Sequence, residues 1–144
     1  MANTNRVQNG GFEQSTGTVA PFWTEAGVTG VLIDNGTQLL GNTHGVLFDF
    51  GSNISQEMLP LQVGEIYEFS MGVSNSGAIA TTGTIDIAIT GNPVRSFQAA
   101  NLLDTNDYIQ YSLTFQAIEA NSTLTITNNT NKSLSIDVVS VFRK

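Results

Sequence analysis

The chain has 144 residues, 40% of them hydrophobic and 12% charged, with twelve acidic and five basic side chains for a net charge of −7. That charged fraction is about half the roughly 25% of an ordinary globular domain, and the length suits one domain with a core of its own. The scarcity of cations argues against a nucleic-acid surface and against anionic membranes. The absence of cysteine removes disulfides, thiolate metal sites and cysteine nucleophiles.

The first residues carry neither a basic region nor an apolar run, so no signal peptide is expected at this start. No stretch approaches the roughly 18 apolar residues of a membrane span, so membrane insertion is not expected. Asn9-Gly10-Gly11-Phe12-Glu13 opens the chain proper and sets one carboxylate beside an aromatic ring. Strands are predicted near Val28–Asp34, Gly45–Phe50 and Ile54–Met58. Tyr67, Phe69, Met71 and Val73 then alternate with Glu68, Ser70 and Gly72, the period of a half-buried strand. Ile85, Ile87 and Ile89 alternate with Thr84, Asp86 and Ala88 in the same way, and Ile109, Tyr111, Leu113 and Phe115 alternate with Gln110, Ser112 and Thr114. Leu124 and Ile126 sit among threonines, and a last strand is predicted from about Leu134 to Phe142.

Turn signals separate these runs at Asn35-Gly36, Gly51-Ser52-Asn53, Val63-Gly64, Asn75-Ser76-Gly77, Gly91-Asn92-Pro93 and Asn128-Asn129-Thr130. His44 is placed in a turn. Many short strands without a helical pattern predict an all-β antiparallel sandwich covering residues 1–144 as a single domain.

Near the far end, Ile136-Asp137-Val138-Val139 again sets a carboxylate among apolar residues. A charge is tolerated there only if it is paired or coordinated, so Glu13 and Asp137 are candidate partners of a hard cation. No nucleophile motif, phosphate-cradling loop or paired-histidine metal motif accompanies the single histidine. No catalytic residues are assigned, and the chain is expected not to be an enzyme.

The order Asn9–Glu13, Pro21-Phe22-Trp23, Thr43-His44-Gly45-Val46-Leu47, Ile54-Ser55-Gln56, Gly64–Ser70, Tyr111–Ala117 and Ile136–Val139 resembles the galactose-binding-like jelly-roll superfamily. It is similar to carbohydrate-binding modules of the family 4, 9 and 22 type, and equally to jelly-roll domains of bacterial collagen-like and spore-surface proteins. The resemblance implies a structural calcium held by the side chains of Glu13 and Asp137 and by backbone carbonyls of Gly11 and the turn near His44. Six to eight oxygen ligands suit that ion. It also implies that Trp23 packs in the core.

Sugar-binding surfaces commonly present an aromatic ring with polar groups beside it. Tyr108 lies on a predicted polar face, and with Glu68, Asp86 and Gln110 it makes a candidate ligand site if those strands are neighbours; an ordinary solvated sheet face is the alternative. Two functions follow from different classes. One is a non-catalytic module that binds a glycan or cell-surface polymer. The other is a self-assembling structural subunit of a bacterial surface or spore layer, for which a homo-oligomer is the default expectation. Both place the protein outside the cell or on a cell or spore surface.

Overall fold

The computed structural model describes residues 3–12, 21–26, 29–33, 43–47, 51–74, 82–98, 109–131 and 134–144. Among these residues the regular elements are all strands: β1 (Thr24–Ala26), β2 (Thr29–Ile33), β3 (Thr43–Leu47), β4 (Ser52–Glu57), β5 (Ile66–Ser74), β6 (Gly83–Ile89), β7 (Arg95–Gln98), β8 (Ile109–Gln116), β9 (Thr123–Thr130) and β10 (Leu134–Arg143). They form two five-stranded sheets, ordered β1-β4-β9-β6-β7 and β2-β3-β10-β5-β8. Every pairing is antiparallel.

The alternation in the sequence becomes the two inner faces. Tyr67, Phe69, Met71 and Val73 of β5 are fully buried and belong to one core with Ile85, Ile87 and Ile89 of β6 and Leu124 and Ile126 of β9. Each such side chain contributes about 1.5–3 kcal/mol when taken out of water. Trp23 is buried as expected; its ring stacks on Phe12 at 5.5 Å, and its indole N–H donates to the Asn9 carbonyl at 3.0 Å.

Four features differ from the sequence expectation. β1 and β7 were not anticipated, because Thr24-Glu25-Ala26 has no apolar alternation and Arg95-Ser96-Phe97-Gln98 offers one aromatic. His44 lies within β3, opposite Leu32, and not in a turn. Asn128, Asn129 and Thr130 end β9 and do not form a turn. Inside the sandwich the Asn128 side-chain oxygen accepts from the Thr130 amide at 2.9 Å and from its hydroxyl at 2.6 Å. These bonds satisfy polar groups that would otherwise make the buried strand end costly.

The fourth feature is a bulge in β10 between Asp137 and Ser140, where Val138 adopts φ = 48°. A β-branched residue is uncommon in that conformation. The extra residue shifts the inward phase of the strand from Leu134 and Ile136 to Val139 and Val141, and Val138 is left 40% exposed. At the bulge, the edge of β10 changes partner. β3 pairs with it as far as Ile136; beyond, the N-terminal segment takes over.

That segment, residues 3–12, works as a strap. Val139 donates its N–H to the Gly10 carbonyl at 2.9 Å and Arg6 donates to the Val141 carbonyl at 2.8 Å. The Asn5 side chain accepts from Val141 N–H at 2.9 Å, and that of Asn3 from Arg143 N–H at 3.0 Å. Toward the other sheet, Leu59 donates to the Arg6 carbonyl, and the Gln56 side chain exchanges a pair of 2.9 Å hydrogen bonds with the Gln8 backbone. Both sheets are thereby tied along one side of the sandwich.

Candidate functional site

The outward face of the β1-β4-β9-β6-β7 sheet is rich in hydroxyls and amides. By strand parity and register, Thr84, Asp86 and Ala88 of β6 share it with Thr123, Thr125, Thr127 and Asn129 of β9, and with Asn53 and Ser55 of β4. Asp86 sits between Ser96 of β7 and Thr127 of β9. Its Oδ1 accepts from the Thr84 hydroxyl at 2.7 Å and the Ser96 hydroxyl at 2.6 Å, and its Oδ2 accepts from the Asn129 side-chain amide at 2.5 Å.

Partial burial alone raises the proton affinity of this carboxyl; the bonds from Ser96, Thr84 and Asn129 outweigh it and lower the pKa below 3.8. Asp86 therefore stays ionised at neutral pH without a cation beside it. The arrangement also fixes polarity. Thr84 and Ser96 commit their protons to the carboxylate, so what they and Asn129 Oδ1 have left for a ligand is acceptor lone pairs. The centre of this face is rich in acceptors and suits a ligand that brings hydroxyl donors.

Of the four residues proposed from sequence as a ligand site, the three that are described do not converge. Glu68 and Gln110 lie on β5 and β8, in the other sheet, so they share an outer face from which Asp86 is separated by the whole sandwich. Even those two are apart: Glu68 is opposite Thr114 and Gln110 opposite Gly72, a displacement of about 14 Å along the strands at ~3.4 Å per residue. Glu68 instead faces Lys144 at 3.8 Å, both well exposed. Tyr108 lies outside the described residues. Sequence reasoning missed Ser96 because β7 was not recognised, and it missed Thr84 and Asn129 because their convergence on Asp86 depends on register.

At the clasp, Asp137 is fully buried, and its Oδ1 accepts from the Val138 amide at 2.8 Å. It occupies the gap where β10 exchanges β3 for the strap. The strand position of His44 is next to Gly45, which pairs with Ile136, and Gly11 follows the Gly10 that binds Val139. Glu13 lies outside the described residues. Among the described residues no group of three or more His, Cys, Asp or Glu side chains could hold a metal. Carboxylate and carbonyl oxygens are the donor set that hard cations take.

Solved structures carry the same arrangement of sheets. A family 61 carbohydrate-binding module in complex with β-1,4-galactotriose superposes with a TM-score of 0.62 at 19% identity, over 98% of this chain and 99% of that one. The chain has the jelly-roll fold of carbohydrate-binding modules. A family 16 module matches it at TM-score 0.63 and 15% identity, over 95% of this chain and 99% of the other. The enzymatically active domain of tailspike protein 4 from bacteriophage CBA120 matches at TM-score 0.69 and 15% identity. The alignment covers 97% of this chain but 21% of the tailspike, so the chain spans about a fifth of that structure. It likewise spans 26% of a Clostridium thermocellum xylanase structure with CBM22-1 and GH10 modules. No protein-family model matches the chain, and no curated protein matches its sequence. Among the described residues no helix is long and apolar enough to cross a membrane.

Proposed function

We propose that this chain is a non-catalytic glycan-binding module and that the face around Asp86 receives the sugar hydroxyls. The observation that carries this is the Asp86 hub, which holds two hydroxyls and one amide in a fixed, acceptor-rich array. Oriented acceptors of that kind lose little side-chain freedom when a sugar binds. The module bound to β-1,4-galactotriose and the other carbohydrate-binding modules of the same fold support the assignment.

Chemistry on this face is disfavoured by distance. The other carboxylate on its central strands, Glu57, is opposite Thr123, two strands across and four residues along from Asp86. That is roughly 17 Å on standard sheet spacings, well beyond the ~5–9.5 Å that paired glycosidase carboxylates need. A carboxyl with lowered proton affinity is also a poor general acid at neutral pH. A module of this kind works where polymeric glycans are, outside the cell or on its surface.

Glycan-array screening followed by titration calorimetry is the direct test. Wild type binds an oligosaccharide, and Asp86→Ala weakens it by about tenfold, the worth of one or two charge-assisted hydrogen bonds. If wild type binds no glycan and sediments as a concentration-dependent oligomer, assembly into a surface layer replaces this assignment.

The same reading includes a structural calcium. The Asp137 carboxylate, with Glu13 and the carbonyls of Gly11 and His44, would hold it across the junction of β3, the strap and β10. The ion adds stability and takes no part in recognition. Chelation lowers the melting temperature of wild type, by the equivalent of about 2.7 kcal/mol if calcium stands at a hundred times its Kd. Asp137→Asn melts lower and no longer responds to chelator. An unchanged wild-type melting curve on chelation overturns the calcium assignment.

A further inference from the structure

Among the described residues, no strap covers the other long side of the sandwich. β7 ends one sheet and β8 the other, and each pairs with a single neighbour. Between them lies a groove of about 250 Å³, floored by Ile87, Ile89, Leu113 and Phe115 and rimmed by Asn92 and Arg95. Both ends are closed. At one end Phe97 reaches across to Tyr111 with ring centroids 4.6 Å apart. At the other, the β6–β7 turn presses on Ile118 so closely that a Cβ on Gly91 would lie 2.8 Å from the Ile118 Cβ.

Among the described residues of this lining, Arg95 is the charged one and none is a carboxylate. It pairs with Ile87, an inward position, yet remains exposed because β7 is an edge. Arg6 lies over the Tyr67 ring and bonds the Pro60 carbonyl, Arg143 reaches Gln62, and Lys144 faces Glu68. Arg95, by contrast, has no side-chain hydrogen bond or ion pair among the described residues. In a chain of net charge −7, an unpaired guanidinium at the mouth of an apolar groove is a specific feature.

We infer that this groove is a second subsite, which takes the carboxylate-bearing ring of an acidic glycan. The inference rests on the glycan-binding function and names the class of sugar. The guanidinium fork matches a carboxylate in bidentate geometry. The apolar floor packs the C–H face of a ring, and β7 and β8 each pair with a single strand among the described residues. The volume lies below the ~300–1,000 Å³ of drug-sized sites, so one ring enters and not a chain of them. The net negative charge disfavours a dense polyanion, although screening confines that repulsion to about 8 Å at physiological salt. A glycan bearing a single uronate is the occupant that fits. Arg95 is followed by Ser96, which bonds Asp86, so one ligand wrapping the β7 edge touches both the acceptor face and the groove.

The test is an amide NMR titration of the whole chain with methyl glucuronide and, separately, methyl glucoside. The glucuronide is expected to move the Asn92, Arg95 and Gln116 resonances and to bind about tenfold tighter than the glucoside at that site, a preference that falls as salt rises. Arg95→Gln abolishes the preference, while Arg95→Lys keeps part of it. Equal affinities for the two sugars, an unmoved groove, or an Arg95→Gln variant that still prefers the uronide each overturns the inference. The two assignments fail separately. If resonances of Thr84, Ser96 and Asn129 move and the groove stays silent, the acidic subsite falls and glycan binding stands; if the groove stays silent and the glycan array is blank, both fall.

Discussion

The two long sides of the sandwich differ in what covers them. On one, the strap satisfies the backbone of β10 and ties it to Leu59 and Gln56 beside the other sheet. On the other, β7 and β8 meet through one aromatic pair and leave a groove between them. The covered side has become core, with Val7 and Phe12 of the strap buried to the level of the sheet interior. The other side, among the described residues, carries a cation and a shaped hollow, which is where the proposed acidic subsite lies. Side chains in the first pack for stability, and those in the second are free to serve a ligand.

The largest effect that separates the two sides is expected at Gly10. A Cβ there would stand 2.0 Å from the Val139 carbonyl oxygen, and the backbone of β10 cannot withdraw without breaking the strap. Gly10→Ala should cost about 3 kcal/mol or more, which for a chain of this size lowers the melting temperature by roughly 6–12 °C in calorimetry. A shift under about 2 °C would mean that the strap adjusts and is not part of the core.

A smaller effect distinguishes the acceptor face. Because the folded pKa of Asp86 is depressed below 3.8, its contribution to stability is present above that pH and is lost as pH falls through the folded value. Wild type should therefore lose more stability than Asp86→Asn in denaturant titrations run downward from about pH 5. Parallel losses in the two proteins would remove Asp86 as the hub of that face.

The smallest effect is on the groove side. Arg95→Gln should leave stability within about 0.5 kcal/mol of wild type, as for an exposed residue without partners. A larger loss in thermal melts would make Arg95 structural and erase the contrast between the two sides.

Much of the fold was legible in the residues. The run from Tyr67 to Val73 and that from Ile109 to Phe115 announce inward and outward sides with no knowledge of their partners, and Trp23 was correctly assigned to the core. The paired valines 138 and 139 carried a sign of the bulge that a simple alternating strand does not contain. The candidate ligand site was much less legible. Glu68, Asp86 and Gln110 each fell on a correctly predicted polar face, but those faces belong to different sheets. Ser96 and Arg95 were invisible because β7 is four residues long with one aromatic among them.

The sequence by itself determined the all-β class, most of the strands and the residues each turns inward, because side-chain alternation is a local property of period two. The tertiary structure alone decided sheet membership, the register that gathers Thr84, Ser96 and Asn129 on Asp86, and which side carries the strap and which the groove. These follow from pairings between residues far apart in the chain, and many partners satisfy the same local alternation equally well.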